Sequence, residues 1–349
     1  MDHFDEYLNK IASKVPTLQV QLESPRHNFS YKYSSHEDNQ LFHSASIGKV
    51  FCASLIMMAV ENDHFTLDSQ IAPLLEENFL NNLFVYKGTD YQDQVTIRHL
   101  LSHTSGVNDY FEGKTKKGHD PFLKRVMQDK DHLFKPAELV DFTRNYQEAV
   151  AKPGDKFLYS DTGYVLLGFL LERLHKKPYA AILQEKICQP LGLKDTALCF
   201  HDENFTPEKL APILFEGTDM HLAKSLSCDY SGGGLQTTTE DLILFLQGLF
   251  EGKLVSKASV ELMLECKNSF HGFMRYGLGI VEVQFQRLAF WMRNYPPLYG
   301  GLGSLSVHAF YDPKNADVYI INLGDASKMR LSFLVLARMA KWLNKSLVK

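Results

Sequence analysis

Cysteines are few in this 349-residue chain, and they follow neither a disulfide pattern nor a metal-binding pattern. The five of them, Cys52, Cys188, Cys199, Cys228 and Cys266, are odd in number and include no Cys-x-x-Cys pair. A small secreted domain held together by disulfides has an even, closely spaced set instead. We therefore expect free thiols and a reducing, cytoplasmic location.

Long apolar runs and an excess of charge are also missing. No stretch is apolar over the roughly 20 residues that a membrane-spanning helix needs, and residues 1–16 lack the apolar core and cleavage-site pattern of a signal peptide. The formal net charge of −4 gives no electrostatic reason to bind nucleic acid or an anionic membrane. We expect neither partner, and the sequence leaves the oligomeric state open.

What the chain does contain is typical of a folded enzyme-sized domain, with 45% hydrophobic and 22% charged residues. Residues 18–33 alternate polar and apolar side chains around a turn, which predicts an antiparallel hairpin. Helical patterns dominate from residue 71 to residue 199. Further strands are predicted near the other end, at residues 278–283, 288–292, 306–311 and 318–323. A last helix is predicted at residues 327–343, with one apolar stripe formed by Leu331, Leu334, Val335, Met339 and Trp342.

Strands at both ends with helices between them indicate that the two ends of the chain meet in one sheet. We expect one domain over residues 1–349, of the α/β (α+β) class, with an antiparallel sheet flanked by helices. The sheet lobe would comprise about residues 1–70 and 230–349. A second, mainly helical lobe would comprise about residues 71–229.

Ser46 and Lys49 stand at the start of an apolar segment that runs to Val60. If this segment is a helix, the hydroxyl and the amine lie one turn apart on the same face. A neutral amine can remove the hydroxyl proton and make the serine a nucleophile. Unpaired N–H groups at the helix start can bind a developing oxyanion. The alternative is an ordinary N-cap serine.

Tyr159 and Asp161 follow a Pro-Gly turn and precede the apolar segment 165–174. On a loop before a helix, the phenol of Tyr159 would point into a cleft. Beside an ammonium group its pKa would be lowered, and the phenolate could carry a proton. The alternative is a buried tyrosine with only a structural hydrogen bond.

Glycines cluster at residues 298–304, in the sequence Leu-Tyr-Gly-Gly-Leu-Gly-Ser, just before a predicted strand. Glycines at a strand edge let a ligand approach the backbone, and a free N–H there can be a second oxyanion donor. A glycine-rich turn between strands is the plainer alternative.

Two histidines raise the possibility of a metal site. His99 and His103 are four residues apart, but no glutamate follows His99 in the His-Glu-x-x-His pattern of zinc enzymes. We expect no metal and no cofactor.

Together, these motifs resemble the serine β-lactamase and penicillin-binding-protein-like hydrolases, in the branch with class C β-lactamases, D-amino-acid peptidases and β-lactamase-like esterases. Ser46-x-x-Lys49 is similar to the first motif of that family and Tyr159-Ser160-Asp161 to its Tyr-x-Asn motif. Four more stretches are similar in order, namely Leu100–Gly106, Pro190–Thr196, Gly232–Asp241 and Tyr311–Pro313. The resemblance covers the chain from about Leu18 to the last helix, and its motifs are specific as an ordered set.

The resemblance implies a β-lactamase/DD-peptidase-like fold and an acyl-enzyme mechanism. Ser46 would be the nucleophile, and Lys49 and Tyr159 would move the proton, with the identity of the base left open. The backbone N–H groups of Ser46 and of Gly301 would form the oxyanion hole. Asp161, Tyr299 and Gly300 would contact the substrate.

Two departures from the family pattern bear on the substrate. Asp161 stands where the family usually has Asn. Leu298 or Tyr299 stands where the third motif usually has Lys or His, the cation that binds a substrate carboxylate. Some esterases of the group have an aromatic-Gly-Gly sequence there, which Tyr299-Gly300-Gly301 resembles.

We therefore expect a serine hydrolase acting on a small-molecule ester or amide, with an esterase or small-amide hydrolase favoured. The alternatives are a β-lactamase or D-Ala-D-Ala peptidase, a D-aminopeptidase, and a ligand-binding or sensor protein that does not turn over.

Overall fold

The structure is a computed structural model that describes residues 2–37, 39–288 and 292–346. Its helices are α1 (Asp2–Ala12), α2 (Gly48–Glu61), α3 (Ile97–Leu101), α4 (Phe122–Gln128), α5 (Pro136–Tyr146), α6 (Asp161–His175), α7 (Tyr179–Leu183), α8 (Gln189–Leu191), α9 (Thr239–Phe250), α10 (Lys257–Met263), α11 (Phe285–Leu288) and α12 (Met329–Ser346).

Strands are concentrated at the two ends of the chain, with short ones between. They are β1 (Gln19–Ser24), β2 (Phe29–Ser34), β3 (Phe42–His43), β4 (Val85–Tyr86), β5 (Thr89–Asp90), β6 (Ala197–Leu198), β7 (Leu214–Phe215), β8 (Thr218–Asp219), β9 (Leu235–Thr237), β10 (Asn268–Ser269), β11 (Met274–Tyr276), β12 (Val281–Val283), β13 (Leu298–Gly303), β14 (Val307–Asp312) and β15 (Asp317–Asn322).

One antiparallel sheet joins both ends of the chain, as predicted. Its strand order is β10-β11-β12-β13-β14-β15-β1-β2. The hairpin β1-β2 pairs with β15, so that Val20 lies opposite Ile321. The α/β (α+β) class with an antiparallel sheet flanked by helices is therefore confirmed. The lobe boundaries near residues 70 and 230 stay a prediction.

The sheet has an apolar core on each face. On one face, α1 and α12 cover it, and Phe4 stacks on Trp342 with ring centroids 4.6 Å apart. On the other face, α2 and α9 pack against the strands and join the core of the remaining helices. Helix α2 is buried on most of its surface, which is the position predicted for the helix that follows Ser46.

Two local predictions are wrong. A strand was expected at residues 288–292, but Phe285–Leu288 is a helical turn, and residues 289–291 lie outside the described residues. Leu334 was expected on the buried stripe of the last helix, yet its side chain is 62% exposed. Val335 and Met339, which were predicted on the same stripe, are fully buried, and so is Leu336.

Within the described ranges, no helix is both long enough and apolar enough to span a lipid bilayer.

Candidate active site

Ser46 lies in a 3-10 turn, Ala45–Ile47, that leads directly into α2. Ala45 has a left-handed backbone with φ of 47°, which costs a non-glycine residue about 1–3 kcal/mol. Its N–H donates to Nδ1 of the buried His43 over 3.1 Å, which helps hold the turn. Ser46 is half-buried, and its hydroxyl caps neither this turn nor α2. The N-cap alternative is therefore wrong.

Lys49 is one turn beyond Ser46, and its side chain is only 1% exposed. Its Nζ donates to Ser46 Oγ over 3.2 Å and to the carbonyl oxygen of Gly232 over 2.5 Å. A third hydrogen bond joins Nζ to Oδ1 of Asp161. The predicted contact between hydroxyl and amine is thus present, with a carboxylate added on the far side of the amine.

The charge state of Lys49 follows from these neighbours. Burial is the largest single influence and lowers the pKa of Lys49, but the charge and hydrogen bond of Asp161, together with Tyr276 and Asp229, outweigh it. The pKa of Lys49 therefore lies above its ordinary value. At neutral pH the side chain is mainly an ammonium, and the neutral amine that could accept the Ser46 proton is the minor form.

Tyr159 reaches Ser46 from the loop that precedes α6. The loop is held at Ser160, whose N–H donates to Nδ1 of His103 over 3.1 Å and whose hydroxyl donates to the carbonyl of Asn108 over 3.0 Å. The His103 ring packs on the Tyr159 ring with centroids 4.3 Å apart. The phenol forms a hydrogen bond with Ser46, and Lys49 Nζ lies 4.9 Å from the ring centroid.

The expectation of a lowered pKa at Tyr159 is wrong. Burial raises the pKa of Tyr159 well above its ordinary value and the Asp161 carboxylate adds to the rise, while the hydrogen bond with Ser46 opposes it. The sequence motif suggested an ammonium group as the dominant charged neighbour of Tyr159, but the carboxylate of Asp161 has the larger effect on its pKa. Tyr159 is therefore a neutral phenol at physiological pH, able to donate a proton.

We expect Tyr159→Phe to lower kcat by about 10²-fold to 10⁴-fold, the usual contribution of a positioned acid or base, with little change in Tm. The ring packing is kept and only the hydroxyl is lost. Tyr276→Phe is the matched control, because Tyr276 lines the same cavity and contacts the Tyr159 ring. A large fall in Tm with near-normal kcat would show a structural tyrosine instead.

Two aspartates that the sequence analysis did not select complete the surroundings of Lys49. Asp109 accepts hydrogen bonds from the backbone N–H groups of Glu112 and Asp161, over 2.8 and 2.9 Å. Asp229 lies beside the glycines of residues 232–234. Burial, followed by the nearby Asp161 charge, raises the pKa of Asp109 and of Asp229 to about 7. Nothing in the local sequence of either residue signals this proximity to Ser46.

The glycines of β13 are required by its close contact with the Ser46 turn. A Cβ on Gly303 would lie 2.7 Å from the carbonyl oxygen of Ser44, and one on Gly301 would lie 3.2 Å from Cα of Ile47. The paired part of β12 ends opposite Gly300, whereas β13 continues to Gly303. Residues 301–303 remain paired with β14 on one side, so only those N–H groups that point toward the β12 side are without a strand partner and could bind an oxyanion.

The cavity that contains Ser46 has a volume of about 1310 Å³, and Tyr159, Asp161 and Gly301 also line it. Tyr299 and Gly300 are not among the residues that line this cavity. The Tyr299 hydroxyl donates to Glu282 over 3.3 Å, and its side chain lines a separate cavity of about 330 Å³.

Both residues have partners within the sheet instead. Tyr299 shares a face of β13 with Gly301, two residues on, but it lies opposite Glu282 of β12 and its hydroxyl contacts that carboxylate. Gly300 is needed for strand pairing, because a Cβ there would lie 2.0 Å from the carbonyl oxygen of Ala309. Neither placement supports a contact with substrate.

Arg275 does not replace the missing third-motif cation. It lies on β11 opposite Glu282 and is not among the residues that line the Ser46 cavity.

The two histidines considered as metal ligands have other contacts. Nδ1 of His99 accepts the N–H of Thr96 in a capping box at the start of α3. Nδ1 of His103 accepts the N–H of Ser160. Burial lowers the pKa of His103 well below its ordinary value, and the positive charge of Lys49 acts in the same direction. His103 is thus a neutral ring that positions the Tyr159 loop.

Comparison with known proteins gives a consistent class for this fold and site. The profile of the family described as Beta-lactamase matches residues 26–337. Penicillin-binding protein 4* of Bacillus subtilis (strain 168) is 28% identical over 255 residues, which are 67% of this chain and 51% of that protein. The chain therefore spans about half the length of this curated relative.

Solved structures share the whole fold. D-amino acid amidase from Ochrobactrum anthropi SV3 superposes with a TM-score of 0.76 at 24% identity, covering 96% of this chain and 97% of that one. EstCE1, a hydrolase with promiscuous acyltransferase activity, superposes with a TM-score of 0.72 at 19% identity, covering 94% of each chain. At these identities the likeness concerns the fold. The family match over most of the chain is decisive, and the protein belongs to the Beta-lactamase family.

Proposed function

We propose that the chain is a serine hydrolase that forms an acyl-enzyme on Ser46 and acts on an ester or a small amide. The observation that carries this proposal is the hydrogen-bonded group of Ser46, Lys49 and Tyr159 at the base of a large cavity, beside the unpaired backbone of β13. Each component of nucleophilic catalysis is present in it, namely a nucleophile, proton-transfer groups and oxyanion donors.

The proposed acylation starts from the minor, neutral form of Lys49. Ser46 Oγ attacks the carbonyl carbon while its proton passes to Lys49 Nζ, and the N–H groups of Ser46 and Gly301 bind the oxyanion. As the tetrahedral intermediate collapses, the bond to the leaving group breaks and Tyr159 supplies the proton. Lys49 then restores the Tyr159 proton. In deacylation, water takes the place of the leaving group and attacks the acyl carbonyl. The same proton transfers then run in reverse, and the acid and Ser46 are released.

The charges around Ser46 favour a substrate without a carboxylate next to the scissile bond. Lys49 is the cation at this end of the cavity, and Asp161 already pairs with it. Asp109, Asp229 and Glu112 line the same end. A carboxylate entering here would meet like charges and, among the described residues that line this end, no unpaired cation, which disfavours a β-lactam or a peptide C-terminus close to the reacting carbonyl.

A D-amino-acid amide is the second candidate, and the same carboxylates favour it. Asp109 and Asp229 are buried aspartates beside the nucleophile, and an ammonium group of a substrate would stabilise their ionised forms. The likeness in fold to a D-amino acid amidase agrees with this candidate.

A substrate panel tests the proposal. We expect steady-state release of p-nitrophenol from p-nitrophenyl acetate and butyrate, weaker hydrolysis of D-phenylalanine amide, and the lowest kcat/KM for benzylpenicillin. Higher kcat/KM for the amide would select the second candidate. Preferred hydrolysis of benzylpenicillin would overturn the substrate assignment, and one stoichiometric burst without turnover would indicate a ligand-binding protein.

Asp161, which replaces the usual asparagine, should control the pH dependence of the reaction. It is the main cause of the raised pKa of Lys49, and only neutral Lys49 accepts the Ser46 proton. For the protein as it stands, kcat/KM should therefore rise with pH through neutrality. In Asp161→Asn the pKa of Lys49 should fall, because burial remains while the attraction between the ammonium and the Asp161 carboxylate is lost. The rising limb of the kcat/KM profile should therefore move to lower pH.

The matched control for this variant is Asp229→Asn, which removes a carboxylate that acts on Lys49 only weakly. It should move the rising limb in the same direction by a smaller amount. Loss of activity in Asp161→Asn at every pH would contradict the prediction and identify Asp161 as the proton acceptor itself.

A cytoplasmic location is also part of the proposal. It is supported by the five cysteines, all of which are buried free thiols, the state that a reducing compartment maintains.

A further inference from the structure

The Ser46 cavity is larger than a short-chain ester requires. Its volume of about 1310 Å³ exceeds the range of roughly 300–1,000 Å³ that is usual for small-molecule sites. From Ser46 it continues to the face of α12 that also contacts α1, and it is lined there by Tyr7 and Lys341. A substrate that filled only the space beside Ser46 would leave most of this cavity unused.

The part of the cavity away from Ser46 is apolar. Its walls come from β11, β13, α12 and segments between strands, and their side chains include Phe270, Phe273, Met274, Met292, Leu302 and Phe333. Leu334 also lines it and is 62% exposed, although large apolar side chains of a helix are normally buried. An apolar ligand segment lying here would cover Leu334 and gain free energy in proportion to the area removed from water.

Basic residues flank this apolar region along one face of α12. Arg330, Arg338 and Lys341 line the cavity together with Leu334, and their spacing of eight and eleven residues is that of one helical face. Eleven residues extend over roughly 16 Å of helix, so the cationic groups are spread along three turns.

These cations are largely unused by the protein itself. Arg338 lies over the Tyr7 ring, 5.3 Å from its centroid. Within the described part of the chain, neither Arg330 nor Lys341 forms an ion pair or a hydrogen bond with another residue. Two unpaired cations beside an exposed leucine indicate a ligand that is apolar in the middle and anionic at its end.

The opposite end of the cavity has the opposite charge. Asp109, Glu112, Asp161 and Asp229 surround the nucleophile there, with Lys49 as their counter-ion. A ligand with one anionic end is therefore repelled by one end of the cavity and attracted by the other. This polarity places the anionic group at α12 and the remainder of the molecule toward Ser46.

We propose that the substrate is an elongated acyl compound with an apolar segment next to the scissile carbonyl and a carboxylate or phosphate at the far end, held by Arg330 and Lys341, the two unpaired cations of this face. This inference rests on the proposed function, because Ser46 must be the nucleophile. On this proposal, the anionic group of the substrate is bound at α12, away from the usual position of the third-motif cation beside the nucleophile.

Matched pairs of esters test the inference with the purified protein. The pairs are p-nitrophenyl octanoate with mono-p-nitrophenyl suberate, and p-nitrophenyl decanoate with mono-p-nitrophenyl sebacate. Each pair differs only in the terminal carboxylate. We expect kcat/KM to be about tenfold higher for the carboxylated member, and we expect this ratio to fall as salt is added. The p-nitrophenyl ester of an octanoyl chain with a phosphate on its terminal carbon shows whether the site prefers a carboxylate or a phosphate.

Two double variants assign the effect to the cavity. Arg330→Gln with Lys341→Gln should bring the ratio close to one. Lys314→Gln with Lys328→Gln removes the same charge outside this cavity and should keep the ratio. Both should hydrolyse p-nitrophenyl acetate at the rate of the unaltered protein, because none of the four residues contacts Ser46.

The outcomes separate the two proposals. If the unaltered protein does not hydrolyse p-nitrophenyl acetate or any longer ester, the proposed function fails. If it hydrolyses these esters with equal kcat/KM within each pair, or if the preference survives in the Arg330 and Lys341 variant, the proposed function stands and this inference is overturned.

Discussion

Ser46→Ala should remove covalent labelling by a fluorophosphonate probe and reduce ester hydrolysis to the background rate. Ser46 is the hydroxyl that contacts both Lys49 and Tyr159, and without it no acyl-enzyme can form. Loss of a catalytic nucleophile typically removes on the order of 10⁶-fold in kcat. Because Ser46 is half-exposed and caps no helix, the free energy of unfolding should change by less than about 1 kcal/mol.

Ser304→Ala is the matched control for this experiment. Ser304 is exposed and lines the same cavity, but among the described residues no amine or phenol forms a hydrogen bond with its hydroxyl. Labelling and turnover should both persist in that variant. Labelling that persists in Ser46→Ala, or that is lost in Ser304→Ala, would contradict the assignment of the nucleophile.

Lys49→Met should lower kcat by about 10²-fold to 10⁴-fold and should also destabilise the protein. The first effect follows from loss of the group that accepts the Ser46 proton. The second follows because Asp161 keeps its carboxylate in a buried site without the cation that pairs with it. Leaving one member of a buried ion pair alone costs about 3–5 kcal/mol in typical cases.

A double variant separates these two effects. Lys49→Met with Asp161→Asn removes both charges, so the free energy of unfolding in denaturant should recover most of the loss. Activity should stay low, because no amine is present. Near-normal kcat in Lys49→Met would show that Lys49 is structural, and recovery of activity in the double variant would show that charge balance alone matters at this position.

Patterns confined to short segments were read correctly from the sequence. The alternation of residues 18–33 predicted the β1-β2 hairpin, and the apolar segment after Ser46 predicted a buried helix. Both depend on periodicity over a few residues, which the backbone converts directly into a face of a strand or a helix. The contact between Ser46 and Lys49 was predictable for the same reason, since one helical turn separates them.

Elements without a strong local pattern were misread. β13 contains three glycines in six residues and resembled a turn; it is a strand because those glycines let it pack against the Ser46 turn and against β14. Leu334 was placed on the same apolar stripe as Val335 and Met339, because helical periodicity does not show which parts of a stripe face a cavity.

The sequence by itself determined the kind of chemistry, because the nucleophile, the amine and the phenol lie in short motifs whose geometry is local. Only the tertiary structure decided their charge states. Asp161 is 112 residues from Lys49 in the chain, yet it holds the pKa of Lys49 up and adds to the rise at Tyr159. Coulomb interactions and burial depend on distance in space, so neither these pKa shifts nor the cavity that joins Ser46 to α12 could be read from residue order.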